Sequence, residues 1–208
     1  MPLYKTFTPN SQTTVKIWKI TESYDELIEP LDLKHNSLER VLGMKSEWHQ
    51  RGFLSVRHIL RDLGYTDQDL FYDKTGKPHL KDGKCISITH SFLYCGVIIS
   101  DNEVGIDIEM QRDKIARIAP KFIGYEFNYL KKESDTYINE LTIIWCIKES
   151  LYKLFATPGM VFKDHFLVIP FMVKDGNTVA WIDFNNKKYR YETDFLEFDG
   201  FTCAYVIA

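Results

Sequence analysis

Two carboxylates in the segment Val104–Glu109, V-G-I-D-I-E, are the first side chains in this sequence that could do chemistry. In a β-strand, residues two apart point to the same face, so Asp107 and Glu109 project together. Adjacent carboxylates repel each other unless a cation lies between them, and oxygen ligands favour Mg²⁺ or Mn²⁺ over softer metals. The pair is therefore a candidate metal site, although taken alone an exposed strand face partnered by lysines is the commoner interpretation.

A second charged stretch, W-C-I-K-E-S-L-Y-K, runs from Trp145 to Lys153. Glu149 and Lys153 are i,i+4 neighbours on a helix, where a surface ion pair is the simplest interpretation. The apolar density around them leaves little room for a fully solvated face. Glu149 is therefore a candidate third metal ligand, and Lys153, one turn later, a candidate phosphate contact.

Two further segments carry groups that bind phosphate oxygens. Ile86–Ser91 reads as a strand ending in Thr89, His90 and a serine, and these groups can donate hydrogen bonds to an anion. Thr75–Pro78, T-G-K-P, is a turn in which Lys77 precedes a rigid proline. Taken singly, the histidine could equally be structural and the turn merely a turn.

These groups must be positioned by the elements of the first half of the chain. Val15–Ile20 predicts a strand, and apolar residues at three- and four-residue spacings predict a helix over 46–63, stopped by Gly64. Three strands are expected after the turn at 73–78, over 85–89, 93–100 and 104–109.

The second half repeats this plan loosely. Asn139 is a good N-cap for a helix that reaches Ala156, with Pro158-Gly159 beyond its end. Strands are expected over 166–171, 179–184, 188–198 and 201–207. Helix followed by antiparallel strands in each half predicts an α+β fold, duplicated about a junction near residues 101–112.

Composition excludes some classes of function. The 208 residues include 26 Lys+Arg and 29 Asp+Glu, and a net charge of −3 gives no case for nucleic-acid binding. The four cysteines form no metal-binding or disulfide motif, and free thiols suggest a reducing compartment. No apolar run approaches 18 residues, so we expect a cytoplasmic protein without a membrane segment.

In order, the chain reads GKP (76–78), ITHS (88–91), VGIDIE (104–109) and WCIKESLYK (145–153), with F-I-G-Y-E-F (122–127) between the last two. This order and spacing resemble the 4′-phosphopantetheinyl transferase superfamily, specifically its longer, Sfp-type members built as a monomeric pseudo-dimer. The resemblance is anchored over about residues 75–155. The residue before the histidine is commonly serine in the family and is Thr89 here. The N-terminal third matches poorly.

The resemblance implies a pseudo-two-fold α+β unit, with an N-terminal half (1–102), a C-terminal half (103–208) carrying the metal site, and a substrate cleft between them. It implies transfer of the phosphopantetheine arm of coenzyme A to a serine of an apo acyl or peptidyl carrier protein. Asp107, Glu109 and Glu149 would hold Mg²⁺, or Mn²⁺. Further contacts to coenzyme A would come from four residues: Lys77, Pro78, Thr89 and His90.

The remaining roles are assigned to residues around these motifs. Lys153 would contact the phosphates and stabilise charge on the leaving group, and Glu149 would accept the serine proton, directly or through a metal-bound water. The basic candidates for the 3′-phosphate are Lys45, Arg51, Arg57 and Arg61. The acidic helical carrier domain would dock after Lys153, on Phe155 and residues 160–163, unless these apolar residues are core.

Two other classes of function remain open. The three carboxylates could serve a metal-dependent nuclease or phosphohydrolase, although that alternative leaves Lys77, His90 and Lys153 unexplained as a set. A catalytically silent nucleotide-binding protein is the other alternative, against which the retained carboxylates argue.

Overall fold

The computed structural model describes residues 3–208, and the chain divides into two compact units, Met1–Glu103 and Val104–Ala208. The first unit contains six strands, β1 (Leu3–Asn10), β2 (Thr13–Lys19), β3 (Leu70–Tyr72), β4 (Pro78–Leu80), β5 (Cys85–Ser91) and β6 (Tyr94–Ser100). Its helices are α1 (Tyr24–Ile28), α2 (His35–Leu42) and α3 (Glu47–Asp62). An antiparallel sheet has the order β1-β2-β6-β5, and β3 and β4 form a separate hairpin.

Helix α3 builds the core of the first unit. Its apolar residues Phe53, Val56 and Ile59 recur at helical spacing and pack in one cluster with residues of β2 and β6. The helix ends at Asp62 with Leu63 as its C-cap, after which Gly64 adopts φ +85°, a conformation that glycine accommodates without strain. The predicted helix over 46–63 and its glycine stop are confirmed.

The second unit contains the strands β7 (Val104–Met110), β8 (Phe166–Val168), β9 (Asn177–Phe184), β10 (Lys187–Phe198) and β11 (Phe201–Ile207). Its helices are α4 (Lys114–Ile118), α5 (Tyr137–Phe155) and α6 (Phe162–His165). The sheet is antiparallel in the order β7-β11-β10-β9-β8. Each unit combines helices with an antiparallel sheet, so the predicted α+β class is confirmed.

Two boundaries of the second unit differ from prediction. Helix α5 begins at Tyr137, and Asn139 is not its cap; the Asn139 Nδ2 donates instead to Glu197 Oε1 at 2.8 Å. Strand β8 ends at Val168 rather than residue 171, because Pro170 lacks the N–H that a continuing strand requires. The prediction also missed the eight-residue strand β1 and the short elements β3, β4, α1, α4 and α6.

No disulfide joins the four cysteines, all of which lie within residues 3–208; Cys95, Cys146 and Cys203 are buried, and Cys85 is partly exposed. In the part of the chain that the structure describes, no helix combines the length and apolarity needed to cross a bilayer.

Candidate active site

Gly105 allows α5 to lie unusually close to β7. A Cβ at this position would stand 1.8 Å from the backbone oxygen of Ser150, so no larger residue fits without moving the helix. Ser150 fixes the same approach, since its Oγ donates to Ala204 O on β11 at 3.0 Å. Because side chains alternate along a strand, Asp107 and Glu109 share with Gly105 the face of β7 that meets α5.

Lys153, in the last turn of α5, reaches back to β7. Its Nζ lies 2.7 Å from Asp107 Oδ1 and 2.8 Å from Ile106 O. The Lys153 side chain is 27% exposed and that of Asp107 only 8%. The ion pair therefore stands at the edge of the core, with the carboxylate inside and water within reach of the ammonium.

Glu149 lies one turn before Lys153 and is partly buried. Burial is the main cause that raises the pKa of Glu149 to about 7, and the negative charges of Asp107 and then Glu109 add to it, against the opposing charge of Lys153. The three carboxylates thus lie close enough to influence one another. The structure brings together all four residues predicted from the D-x-E pair and the helix motif.

The donor set of this region suits a hard divalent cation. Carboxylate oxygens are the ligands that Mg²⁺ prefers, and a cation would relieve the mutual repulsion that raises the Glu149 pKa. Within residues 3–208, no three His, Cys, Asp or Glu side chains are gathered tightly enough to form a ready-made cage.

A second lysine of α5, Lys148, forms a buried ion pair that the sequence motifs did not predict. Lys148 and Glu126 are both 0% exposed, and Lys148 Nζ lies 2.8 Å from Glu126 Oε1. Lys148 also donates to Phe122 O at 2.8 Å, while Glu126 accepts from the backbone N–H groups of Gly124 and Val168. Burial lowers the pKa of Lys148, and Glu126 opposes that shift.

This network holds the segment 119–130 and β8 to α5. Both residues of the pair lie in sequence motifs: Glu126 is in the segment 122–127 and Lys148 is in the segment 145–153. No spacing rule joins two residues 22 positions apart, so the pairing itself was not predictable.

In the first unit, the turn between β3 and β4 presents Lys77. The Lys77 Nζ lies 2.8 Å from Glu103 Oε2, and the lysine side chain is 19% exposed. Lys77 also lies close enough to Cys85, the first residue of β5, to affect the pKa of that thiol, which burial raises. Lys77 is therefore associated with the start of β5.

His90 lies towards the other end of β5, about 17 Å along the strand from Cys85 at about 3.3 Å per residue. Its ring contacts the position of Gly52 on α3, where a Cβ would stand 3.4 Å from His90 Cγ, and lies 5.9 Å from the ring of His49. Thr89 is buried and leaves the strand on the face opposite His90. The two motif side chains do not share a face.

Of the four basic residues considered for an anion contact, Arg57 is unsuitable. Its guanidinium is buried, donates to Asp67 Oδ1 at 3.0 Å and stacks 3.4 Å from the Phe53 ring centroid, so it is engaged in the core. Arg61 donates to Pro30 O, and Lys45 is exposed. Arg51 has a buried Nε that makes no hydrogen bond with residues 3–208.

The segment proposed for docking divides into core and surface. Phe162 contacts the rings of Trp145 and Phe166, and Phe155 contacts Tyr189; both are partly buried and pack against the core cluster of the unit. Val161 is 46% exposed and Lys163 is also exposed.

Comparison with known proteins identifies the family. The family model described as the 4′-phosphopantetheinyl transferase superfamily matches residues 103–206, half of the chain and nearly all of the second unit. The chain belongs to this superfamily.

The relatives that this chain resembles differ in how much of the chain they match. The enterobactin synthase component D of Salmonella typhi is 32% identical over 128 residues, which are 60% of this chain and 54% of that protein. The 4′-phosphopantetheinyl transferase gsp of Aneurinibacillus migulanus is 26% identical over 181 residues, 82% of this chain and 73% of that one. The chain therefore spans about half the length of the first relative.

Among solved structures, the holo-[acyl-carrier-protein] synthase of Thermotoga maritima aligns with a TM-score of 0.37 and 16% identity. The alignment covers 50% of this chain and 61% of that chain.

Proposed function

We propose that this phosphopantetheinyl transferase superfamily member transfers the 4′-phosphopantetheine arm of coenzyme A to a serine hydroxyl of an apo carrier protein and releases 3′,5′-ADP. The observation that carries the proposal is the cluster on β7 and α5. There Lys153 binds Asp107 at 2.7 Å, one helical turn from a glutamate whose pKa is raised to about 7. Phosphoryl transfer needs fixed charge near the reacting phosphorus, and this cluster offers both signs of charge.

The metal site of the proposal is Asp107, Glu109 and Glu149, whose oxygen donors fit Mg²⁺. A bound cation would supply Lewis-acid polarisation of the pyrophosphate and neutralise its charge. Mn²⁺ has the same ligand preference and is the alternative.

Lys153 and Glu149 carry the remaining catalytic roles. The Lys153 ammonium is held at the edge of the core by Asp107 and Ile106 O, where it can meet the phosphates and stabilise charge on the departing nucleotide. Glu149 accepts the proton of the attacking serine. A carboxylate in this cluster lies near the reacting centre, which is the position that a general base requires.

Coenzyme A would be contacted by Lys77, Pro78, Thr89 and His90. For the 3′-phosphate we favour Arg51. Support comes from its buried Nε and from its place in α3, next to the Gly52 that packs against His90. Arg57 is unsuitable because Asp67 already neutralises it.

The carrier protein would be acidic and helical, and would dock on Val161 and Lys163 rather than on the whole segment. These two are exposed, whereas Phe155 and Phe162 are partly buried and pack against the core. If Lys163→Ala leaves the KM for the carrier unchanged, this docking role is wrong.

We further propose a monomer acting in the cytoplasm, where free thiols such as Cys146 stay reduced.

Mass spectrometry of apo acyl and peptidyl carrier proteins incubated with coenzyme A and Mg²⁺ tests the function. We expect the wild-type protein to add one phosphopantetheine per carrier, and no addition when divalent cations are chelated. Glu149→Gln should abolish transfer while the thermal unfolding curve stays close to wild type. Hydrolysis of coenzyme A without any carrier would instead favour a phosphohydrolase, and near-normal turnover by Glu149→Gln would exclude Glu149 as the base.

A further inference from the structure

One carboxylate organises the whole turn between β3 and β4. Asp73 Oδ1 accepts from Thr75 N at 2.8 Å, from Thr75 Oγ1 at 2.6 Å and from Lys77 N at 3.1 Å. Gly76 completes the turn with φ +88°, and its N–H donates to Asp73 O at 3.1 Å. Asp73 is exposed, so this concentration of bonds does not serve the core.

The bonds converge on the backbone of Lys77. Its N–H is taken by the Asp73 carboxylate, and its carbonyl accepts from the Asp73 backbone N–H at 3.0 Å. Pro78 follows immediately and restricts the conformation of the residue before it. Asp73 and Pro78 therefore fix the Lys77 backbone from both sides, which sets the direction in which its side chain leaves the turn.

The second carboxylate oxygen of Asp73 is also held. Asp73 Oδ2 lies 3.0 Å from His79 Nε2, and the His79 ring stacks on Phe71, its cross-strand partner, with centroids 5.4 Å apart. Hydrogen bonds from Thr75 and His79 keep the pKa of Asp73 far below its ordinary value. The carboxylate is therefore ionised and oriented through the neutral pH range.

We propose that Asp73 is a positioning residue that fixes Lys77 so that its ammonium is presented to the phosphates of coenzyme A. The inference rests on the proposed function, in which Lys77 contacts coenzyme A. Glu103 Oε2, 2.8 Å from Lys77 Nζ, holds the side chain in the absence of ligand, and a phosphate must replace it. Fixing the backbone beforehand lowers the entropy that binding would otherwise cost.

A matched control lies in the same unit. Asp69 Oδ2 accepts from Thr66 N and Thr66 Oγ1, both at 2.7 Å, and so makes the same kind of turn without touching Lys77. Asp69→Ala should therefore disturb a turn of the same chemistry and leave the presentation of Lys77 unchanged. Asp73→Asn is the conservative variant, because the amide oxygen can still accept the three bonds that Asp73 Oδ1 accepts.

The first measurement is independent of transfer. The free proteins are treated with an amine-acetylating reagent, and the rate at Lys77 is read by peptide mass spectrometry. Asp73→Ala should label Lys77 about three-fold faster or more, since the loss of even one charge-assisted hydrogen bond permits such a change. Asp69→Ala and Asp73→Asn should label it at the wild-type rate. An unchanged rate in Asp73→Ala overturns the inference, whatever coenzyme A does.

The second measurement separates positioning from general loss of structure. Asp73→Ala should raise the KM for coenzyme A about ten-fold while kcat and the KM for the carrier stay within about two-fold of wild type. Asp73→Asn should restore the KM. Equal losses in kcat and both KM values would mean a merely structural turn. If the wild-type protein itself neither binds nor transfers from coenzyme A, the proposed function fails, a result that the labelling rates distinguish.

Discussion

Helix α5 carries two lysine–carboxylate pairs that differ in almost every physical respect. Lys148 and Glu126 are both 0% exposed and are surrounded by backbone partners. The pair of Lys153 with Asp107 stands at the core edge, with the lysine 27% exposed. Five residues separate the two lysines, about 140° around a helix of 3.6 residues per turn, so they serve different faces.

The difference indicates two distinct roles for one charge type. A buried pair with every hydrogen bond satisfied cannot exchange its partners cheaply, since breaking it strands a charge in the core. It therefore suits a structural tie between α5 and the segment 119–130. A pair within reach of water can release its lysine to another anion at low cost, and that is the property a phosphate contact needs.

Breaking the buried pair should give the largest effect. Glu126→Ala removes the only carboxylate on Lys148 within residues 3–208 and leaves an uncompensated buried ammonium. We expect the free energy of unfolding to fall by about 3–5 kcal/mol, measured by urea denaturation. The double variant Glu126→Leu/Lys148→Met should recover much of this loss, because it removes both charges. A single-variant cost near zero would mean that the buried pair is no structural tie.

Breaking the exposed pair should spare the fold and damage the chemistry. Lys153→Met should lower kcat for transfer about 10²–10³-fold, the range typical of losing one positioned donor to transition-state charge. Its cost in unfolding free energy should be about 1–3 kcal/mol, below that of the fully buried pair, because water reaches the lysine although Asp107 is only 8% exposed. Lys188→Met, which breaks the more open pair with Asp183, is the control and should change neither quantity. Equal stability losses in Glu126→Ala and Lys153→Met would remove the contrast.

The residues around the exposed pair could be predicted from the sequence. A two-residue period places Asp107 and Glu109 on one face of a strand, and a four-residue period places Glu149 and Lys153 on one face of a helix. Strand β7 and helix α5 form where those periods predict them. What brings the two periods together, the contact of Gly105 with Ser150, is a tertiary distance that no local pattern encodes.

The buried pair and the burial of the basic residues could not be predicted from the sequence. Arg57 and Arg51 look alike in sequence, yet one is neutralised in the core by Asp67 and the other keeps an unbonded Nε. Lys148 stands one residue from Glu149 and is nevertheless fully buried. Burial of a charge depends on a partner far along the chain, and single-sequence periodicity contains no information about that partner.

Two glycines, one beside each pair, test the contrast with the smallest change in structure, the addition of one methyl group. A Cβ on Gly105 would stand 1.8 Å from Ser150 O, and one on Gly124 would stand 2.6 Å from Lys163 O. Each Gly→Ala variant should lose stability through overpacking, by about 1–3 kcal/mol at Gly124 and by more at Gly105, where the Cβ would come closer to a backbone atom.

Their kinetics should nevertheless diverge. Gly105→Ala shifts α5 against β7, moves Glu149 and Lys153 relative to Asp107, and should lower kcat. Gly124→Ala shifts the backbone at Lys163, and should raise the KM for the carrier while kcat is kept. Steady-state kinetics at a temperature where both variants remain folded separates the two effects. If both variants lower kcat equally, the two faces of α5 are mechanically coupled and the division between structural and catalytic pairs does not hold.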